Sequence, residues 1–360
     1  MTTVRVLIAP ESFSGTLTAA QAAAAVAAGW REHTDDDLDL CPLSDGGPGF
    51  VDVVQAAVGG RLVSVTATGP LGGSTGPVVP ATVLVDGTTA YVEAAQVCGR
   101  HLLPEPDPTR TTSAGLAPLL TAALDAGCTR VVVGVGDLAT LDGGAGLLRA
   151  LGAGDDLAGL PAVRDAFAGI DLVAAGDTDP PLLGFSGAAA LQGAALGATP
   201  QQAQDLDRAM GQYAATALET LGAPQRLVAE PGAGAGGGLV FGLTLLGGRR
   251  EPGTQAVMDA VRFTERLRTA DLVVTGEGLV DWRSLRGAVV AGVAHHGLAA
   301  GVPVVVLAGQ VEVGRRELLS IGVESSYAVA EGPDQVAAAL ADPAGTLRAR
   351  AKRVARTWSR

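Results

Sequence analysis

Lysine is almost absent from this sequence. Of its 25 lysine and arginine residues, Lys352 is the only lysine, so a site that ordinarily uses a lysine must do without it or use an arginine. Negative charge prevails, with a formal net charge of −12 at pH 7. This balance argues against nucleic acid or an anionic membrane as the main partner. It does not exclude a small anionic substrate, which needs only a local positive site.

Cysteine is also scarce, and long apolar runs are missing. The three cysteines, Cys41, Cys98 and Cys128, are scattered and form no CxxC pair. This excludes a disulfide framework and a cysteine-based zinc site, and it favours a reducing compartment. No apolar run reaches the roughly 18 residues of a membrane span. The first residues, MTTVRVLIAPES, lack the features of a signal peptide, so we expect a cytoplasmic protein.

The composition is that of a globular α/β protein. The chain has 360 residues, 48% of them hydrophobic and 17% charged, which is enough for a large core and two domains. An apolar strand at 4–9 leads through a loop into an alanine-rich helix that Thr18 can cap. Between Arg61 and Glu93 the segments become short, β-branched and alternating. They predict a small antiparallel or mixed sheet, and with it a second domain.

The central segment, VVVGVGDLATLDGGAGLLRALG at 131–152, combines a buried strand, a glycine loop and a helix. This order points backbone N–H groups and a helix N-terminus at an anion. Asp142, in the same loop, could hold a metal or accept a proton. The loop is not a P-loop, because no Gly-Lys-Ser/Thr closes it. A βα turn that uses glycine only for its tight geometry is the structural alternative.

Three further loops place acids beside glycines or after predicted strands. Open α/β sheets bind ligands at such strand ends, although plain turns explain the same residues. Arg283 and Arg286 follow the last of these loops and are candidates for holding a carboxylate or phosphate. The acids and glycines of the three loops are Asp45 with Gly46 and Gly47, Asp177 with Asp179, and Glu277 with Asp281.

The motifs that the sequence lacks exclude several kinds of chemistry at these loops. The sequence has no GxSxG motif, no His pair at metal-binding spacing and no cysteine in a reactive setting. A glycine run at 231–238 could cradle a ligand or act as a hinge. What remains are carboxylates, magnesium and backbone amides, which suit phosphoryl transfer.

Seven motifs, taken together, resemble in order the landmarks of the two-domain bacterial glycerate kinase family. The resemblance implies a Rossmann-like parallel-sheet α/β domain built from 1–60 and 265–360. It also implies a second α/β domain inserted at 61–264, with ATP, Mg²⁺ and glycerate in a cleft between them. The motifs are IAPESFSGTLTAAQAA, PLSDGGPG, EAAQVCGRHLLP, TTSAGLAPLLTAALDAG, VGDLATLDGGAGLLRALG, PGAGAGGGL and DLVVTGEGLVD.

The resemblance also implies site residues. The expected catalytic residues are Asp45, Asp142, Asp177, Glu277 and Asp281, and the expected Mg²⁺ ligands are Asp142 and Asp177. The expected substrate-binding residues are Gly46, Gly47, Gly143, Gly144, Asp179, Arg283 and Arg286. The chain departs from the family pattern mainly where the family has cationic or amide side chains. These departures are Ser14, Leu141, Leu279 and Ala288; the chain also has Pro48 where the family has Glu, and Leu138 where the family has Ser.

The implied function is the ATP-dependent phosphorylation of glycerate to 2-phosphoglycerate, or of a related small hydroxy acid, by a monomer or homodimer. The lost donors leave a second hypothesis open, in which a catalytically degenerate member binds a small molecule or regulates a partner. A third hypothesis is a different substrate, because Leu138, Leu141 and Trp282 would make the pocket more apolar.

Overall fold

The computed structural model describes residues 4–13, 15–72 and 77–359; Ser14 therefore lies outside the described residues. The chain divides into two compact units. Unit 1 comprises Met1–Asp45, Asp52–Ala57 and Val257–Arg360, and unit 2 comprises Gly46–Val51 and Val58–Ala256. Asp45 and Gly46, adjacent in sequence, thus belong to different units.

The strands and helices alternate along most of the chain. The strands are β1 Arg5–Ile8, β2 Asp37–Leu40, β3 Arg61–Thr68, β4 Val78–Asp86, β5 Thr89–Glu93, β6 Arg130–Gly134, β7 Asp171–Ala175, β8 Arg249–Glu251, β9 Leu272–Thr275, β10 Leu279–Val280, β11 Val304–Ala308, β12 Gln310–Val311 and β13 Val323–Ala328. The α-helices are α1 Ala19–Arg31, α2 Phe50–Val58, α3 Ala95–Cys98, α4 Ala117–Asp125, α5 Ala145–Leu148, α6 Leu160–Asp165, α7 Ala188–Gln192, α8 Pro200–Leu221, α9 Leu239–Leu245, α10 Gly253–Ala260, α11 Phe263–Leu267, α12 Val289–Ala300, α13 Arg315–Ser320, α14 Pro333–Ala341 and α15 Pro343–Trp358.

Unit 1 is built on a five-stranded sheet in the order β13-β11-β9-β1-β2, and every neighbouring pair is parallel. The interior strand β11, VVVLA, is buried along its whole length, as strands covered by helices on both faces must be. Thr18 caps α1 with a capping box shared with Gln21, as the sequence predicts. The expected Rossmann-like parallel sheet is confirmed.

The strand order of unit 1 reverses between β1 and β9. From β1 the chain first adds β2 on one side, and it then adds β9, β11 and β13 on the other. In a doubly wound sheet the loops that leave two such strands diverge to opposite faces, and a crevice opens at their carboxyl ends. In unit 1 these are the loops that follow Ile8 and Thr275. Glu277 lies in the loop that follows Thr275, so the topology alone places it where such sheets bind their ligands.

Unit 2 contains a six-stranded mixed sheet in the order β3-β4-β5-β6-β7-β8. β3, β4 and β5 pair antiparallel, whereas β5, β6, β7 and β8 pair parallel. The predicted small sheet at 61–93 is therefore the antiparallel end of a larger one. The carboxyl ends of β6 and β7 lie at the same edge, where the loops that carry Asp142 and Asp177 begin.

The basic C-terminal helix α15 packs against α1 within unit 1. Its buried face joins the same apolar cluster as Ala22 and Val26 of α1. Gly29 is the point of closest approach, because a Cβ built there would lie 2.1 Å from the backbone oxygen of Arg348. The one lysine, Lys352, pairs with Glu32 at 2.9 Å. Within the described part of the chain, no helix has the length and apolar character to cross a membrane.

A Gly29→Ala substitution tests this contact. We expect it to lower the free energy of unfolding by about 2–3 kcal/mol, because the added methyl group would overlap a main-chain oxygen that cannot rotate away. Gly211→Ala in α8 is the matched control, since a Cβ there meets only Leu183 Cδ1 at 3.6 Å. The control should gain about 0.5–1 kcal/mol from helix propensity. Urea denaturation measures both, and equal effects would contradict the packing assignment.

Candidate active site

The acid and glycine loops lie at the carboxyl ends of parallel strands in each unit. We call the loops at 9–13, 41–45 and 276–281 the unit 1 edge. The unit 2 edge consists of the loops at 135–144 and 176–181, together with the glycine run at 231–238. Each edge is described by itself.

Main-chain hydrogen bonds hold the unit 1 edge together. The amide of Glu11 donates to the oxygen of Gly276 over 2.8 Å, and the amide of Leu43 donates to Pro10 over 2.9 Å. The amide of Gly309 donates to the backbone oxygen of Glu277 over 3.1 Å. The backbone of Glu277 is thus fixed between the exits of β1, β9 and β11.

The carboxyl group of Glu277 is the most perturbed acid of this edge. Its Oε1 atom is buried and has no hydrogen-bond partner among the described residues. Burial raises the pKa of Glu277 to about 7, and the carboxylates of Asp281 and Asp45 act in the same direction, whereas a hydrogen bond to Ser284 opposes them. An acid that changes charge near neutral pH is suited to accepting a proton from a substrate.

Asp281 and Arg283, both predicted site residues, bind each other. The Arg283 guanidinium donates to Asp281 Oδ2 through Nε at 2.9 Å, and its Nη2 lies 2.7 Å from the same oxygen. The Arg283 amide donates to Oδ1 over 2.7 Å. The hydrogen bond from Arg283 lowers the pKa of Asp281. Arg286 instead stacks over the exposed ring of Trp282, with its Cζ 5.7 Å from the centroid.

At the unit 2 edge, backbone packs directly against backbone. The amide of Gly136 donates to Gly46 over 3.2 Å, and the amide of Gly234 donates to Pro180 over 2.9 Å. Gly237 adopts a φ of +67°, and a Cβ there would lie 1.6 Å from the oxygen of Thr140. No other residue fits at that contact. The edge thus gathers Gly46 and the loops of Asp142 and Asp177 around the glycine run.

The Asp142 carboxylate is already occupied by hydrogen bonds within the protein. Its Oδ2 accepts from the amide of Ser113 at 2.8 Å, from the Ser113 hydroxyl at 2.9 Å and from the amide of Gly146 at 3.1 Å. Its Oδ1 accepts from the amide of Gly144 at 3.0 Å. Asp142 therefore holds the start of α5 and ties it to the segment of Ser113.

The glycines after Asp142 are engaged as well. The amide of Gly143 donates to the oxygen of Gly237 over 3.1 Å, and that of Gly144 bonds Asp142. Neither amide points at an open anion site in this structure. The close packing of the glycine run accounts for this part of the motif.

The acids after β7 have partners that the sequence analysis missed. Asp177 Oδ2 accepts a hydrogen bond from the Thr254 amide at 3.0 Å and another from its hydroxyl. Asp179 pairs with Arg250, whose Nη2 lies 2.5 Å from Oδ1. Thr254 and Arg250 were missed because β8, RRE, is short and charged and has no strand-like apolar pattern. The glycine pair before it and the proline after it are its only local signals.

Two departures from the family pattern have a packing explanation. Leu138 and Leu141 are 5% and 1% exposed and belong to the core of unit 2. Both side chains pack in the apolar interior of unit 2. Glu93, also buried, accepts hydrogen bonds at 3.2 Å from the amides of Gly49 and Val51. That pattern is typical of a structural acid.

An Asp142→Asn variant tests the structural assignment. We expect a loss of about 3 kcal/mol in the free energy of unfolding, because the amide nitrogen of asparagine would face a backbone N–H. Asp155→Asn is the control, since that side chain is fully exposed and only reaches Arg149 at 3.5 Å. It should change stability by less than about 0.5 kcal/mol. Equal stabilities of the two variants in urea titrations would refute the assignment.

Comparison with known proteins places this fold and these loops in one family. The model of the glycerate kinase family matches residues 6–359. The glycerate kinase of Bacillus subtilis strain 168 is 34% identical, with 91% of each chain covered. The glycerate 2-kinase of Escherichia coli K12 is also 34% identical, with 85% of each chain covered.

Further relatives extend the comparison to other sequences and to a solved structure. An uncharacterized protein of Mycobacterium tuberculosis is 40% identical over 98% of this chain and 91% of its own. A crystal structure assigned to glycerate kinase 2 of Salmonella typhimurium LT2 has a TM-score of 0.78 and 32% identity. The match covers 99% of this chain and 98% of that one. The fold, the order of the loops and these matches agree: the chain belongs to the glycerate kinase family.

Proposed function

We propose that this protein transfers the γ-phosphoryl group of ATP to a hydroxyl group of glycerate, forming 2-phosphoglycerate and ADP. The relatives with named activities are glycerate kinases that align over most of the chain. They do not support a non-catalytic binding protein. The observation that carries the proposal is the Glu277 carboxyl, whose Oε1 is buried and has no hydrogen-bond partner among the described residues, at the point where the strand order reverses.

In the proposed reaction, Glu277 accepts the proton of the acceptor hydroxyl. The hydroxyl oxygen forms a bond to the γ-phosphorus as the bond between that phosphorus and the bridging oxygen of ADP breaks. ADP leaves with the electron pair, and Glu277 passes its proton to solvent. Burial makes a negative charge on Glu277 costly, and the carboxylates of Asp281 and Asp45 add to that cost, so the Glu277 carboxylate is a stronger base than an exposed one.

The acceptor needs a cation for its own carboxylate. Arg283 is committed to Asp281 through its side chain and its amide. Arg286 makes its described contact with the ring of Trp282, a contact that leaves the edge of the guanidinium able to donate. We therefore assign the glycerate carboxylate to Arg286 in preference to Arg283.

Magnesium is part of the proposed substrate, Mg-ATP. When bound, it neutralises charge on the phosphate oxygens. Within residues 4–13, 15–72 and 77–359, no group of three or more His, Cys, Asp or Glu side chains could hold a metal ion. Asp142 does not fit as a ligand, because four donors occupy its two oxygens. Asp177, half-buried at the exit of β7, has the oxygen chemistry that magnesium prefers, and we retain it as the candidate ligand.

The direct test is ADP release from Mg-ATP with D-glycerate, compared with a panel of small hydroxy acids. We expect turnover with glycerate, and a loss in kcat of about 100-fold or more in Glu277→Gln, because general base catalysis contributes 10²–10⁴-fold. Glu312→Gln, an exposed acid after β12, should keep kcat within a factor of three. No turnover with any acceptor would refute the kinase assignment, and an active Glu277→Gln variant would remove Glu277 from the mechanism.

Glu277 also predicts a pH dependence of stability. The unfolded carboxyl group loses its proton near its ordinary pKa of 4.5, whereas the folded group holds its proton up to about 7. Folding therefore takes up a proton between these values, and the stability of the wild type falls as the pH rises from about 4.5 to 7. Relative to Glu277→Gln, the wild type should lose about 3 kcal/mol over this range.

The measurement is urea denaturation of both proteins at pH 5, 6, 7 and 8. Other titrating groups are shared, so they cancel in the difference between the two proteins. The kcat/KM of the wild type should move in the opposite direction and rise with pH towards an apparent pKa near 7, because the reaction needs the ionised form. A stability difference that does not change with pH would contradict the raised pKa of Glu277 in the folded protein.

A further inference from the structure

Arg250 is a cation at the unit 2 edge with an unusual setting. Successive side chains of a strand point to opposite faces, so Arg249 and Arg250 diverge. Arg249 joins an ion-pair network with Asp171 at 3.1 Å and Glu251 at 2.8 Å. Arg250 instead reaches the loop after β7, where its Nη2 donates to the oxygen of Gly176 over 3.1 Å.

The guanidinium of Arg250 is held in place, but one of its N–H donors has no hydrogen-bond acceptor among the described residues. Its side chain is only 24% exposed, and its Nε is buried without a hydrogen-bond partner among the described residues. The glycine run covers it, since a Cβ built at Gly232 would lie 2.4 Å from Arg250 Cδ and Nε. A buried donor without a partner is unfavourable, so an incoming acceptor would be stabilised there.

The present partner of Arg250 can be displaced. Asp179 pairs with it at 2.5 Å, but the Asp179 side chain is 69% exposed. An ion pair with an exposed partner adds little to stability. A phosphoryl group carries more charge and can accept two parallel hydrogen bonds from a guanidinium. A phosphoryl group can therefore replace Asp179 as the partner of the Arg250 guanidinium.

The reaction also needs a cation that the lysine content does not provide. Phosphoryl transfer depends on positive charge at the transferred group. Lys352 is engaged with Glu32 on the helical surface of unit 1. Arg250 lies beside the loop of Asp177 and Asp179 and presents a positive charge to it.

We propose that Arg250 is a catalytic residue that binds the transferred phosphoryl group of ATP, with Asp179 holding the guanidinium in position until the nucleotide arrives. This assignment rests on the proposed kinase function. It concerns charge stabilisation and is independent of which hydroxy acid accepts the phosphoryl group. The shared ligand chemistry is an oxyanion, and the kinetic constants separate its two sources, the phosphoryl group and the glycerate carboxylate.

The test compares Arg250→Ala and Arg250→Lys with the matched control Arg249→Ala. We expect Arg250→Ala to lower kcat about 100- to 1000-fold, as loss of a well-placed donor does, with KM for glycerate within threefold of wild type. Arg250→Lys should recover part of kcat, because it restores charge but not the planar fork. Arg249→Ala should keep kcat within threefold. Millimolar guanidinium chloride should partly restore the activity of Arg250→Ala and leave Arg249→Ala unchanged.

Several outcomes would overturn the assignment. A kcat of Arg250→Ala within threefold of wild type would do so, as would a raised KM for glycerate at unchanged kcat, which would place the carboxylate there instead. A parallel loss of melting temperature and activity in both Ala variants would show a structural role only.

Calorimetric titration with ATP keeps the assignment testable even if glycerate is not the acceptor. Arg250→Ala should bind ATP at least tenfold more weakly than wild type, whereas Arg249→Ala should bind it equally well. If wild type binds ATP but does not phosphorylate glycerate, the choice of acceptor fails and the Arg250 assignment stands. If the three proteins bind ATP equally, the Arg250 assignment fails on its own.

Discussion

Direct contact between main chains is the constraint on which the architecture of unit 2 depends. The glycine run meets the Asp142 loop so closely that a methyl group at Gly237 would overlap the oxygen of Thr140 at 1.6 Å. Such contacts let three loops share one strand edge without side chains between them. The same contacts also engage backbone amides that an isolated glycine loop would offer to an anion. The amide of Gly143, for example, donates its hydrogen bond to the oxygen of Gly237.

The carboxylates discussed above fall into two classes. Asp142 and Glu93 each accept backbone hydrogen bonds and hold segments together. Glu277, in unit 1, has a buried Oε1 without a hydrogen-bond partner among the described residues, and its pKa is raised. A buried acid without full compensation destabilises the fold, so its presence at the reversal of strand order is expected of a group retained for chemistry.

Because lysine is scarce, arginines supply positive charge near the acid loops, and they do so in two different environments. Arg283 is neutralised by Asp281 in its own turn, and it contributes to local structure. The glycine run packs against Arg250. Its ion pair with Asp179 is weakened by solvent, because the Asp179 side chain is exposed. The two arginines therefore differ in how completely their donors are satisfied, and this difference is the basis on which we propose a catalytic role for Arg250 alone. The leucines that replace polar family residues, Leu138 and Leu141, follow the same logic, since both are absorbed into the core.

The sequence by itself determined the α/β class, the parallel sheet of unit 1 and the family, because buried strands, the Thr18 cap and the order of the motifs are local patterns. It also placed acids at strand exits. Only the tertiary structure decided which acids are satisfied, because the partners lie far along the chain. Ser113 reaches Asp142 across 29 positions and Thr254 reaches Asp177 across 77. Arg250 gave no periodic signal, and its importance emerges only when β8 pairs with β7 and brings its guanidinium to the oxygen of Gly176.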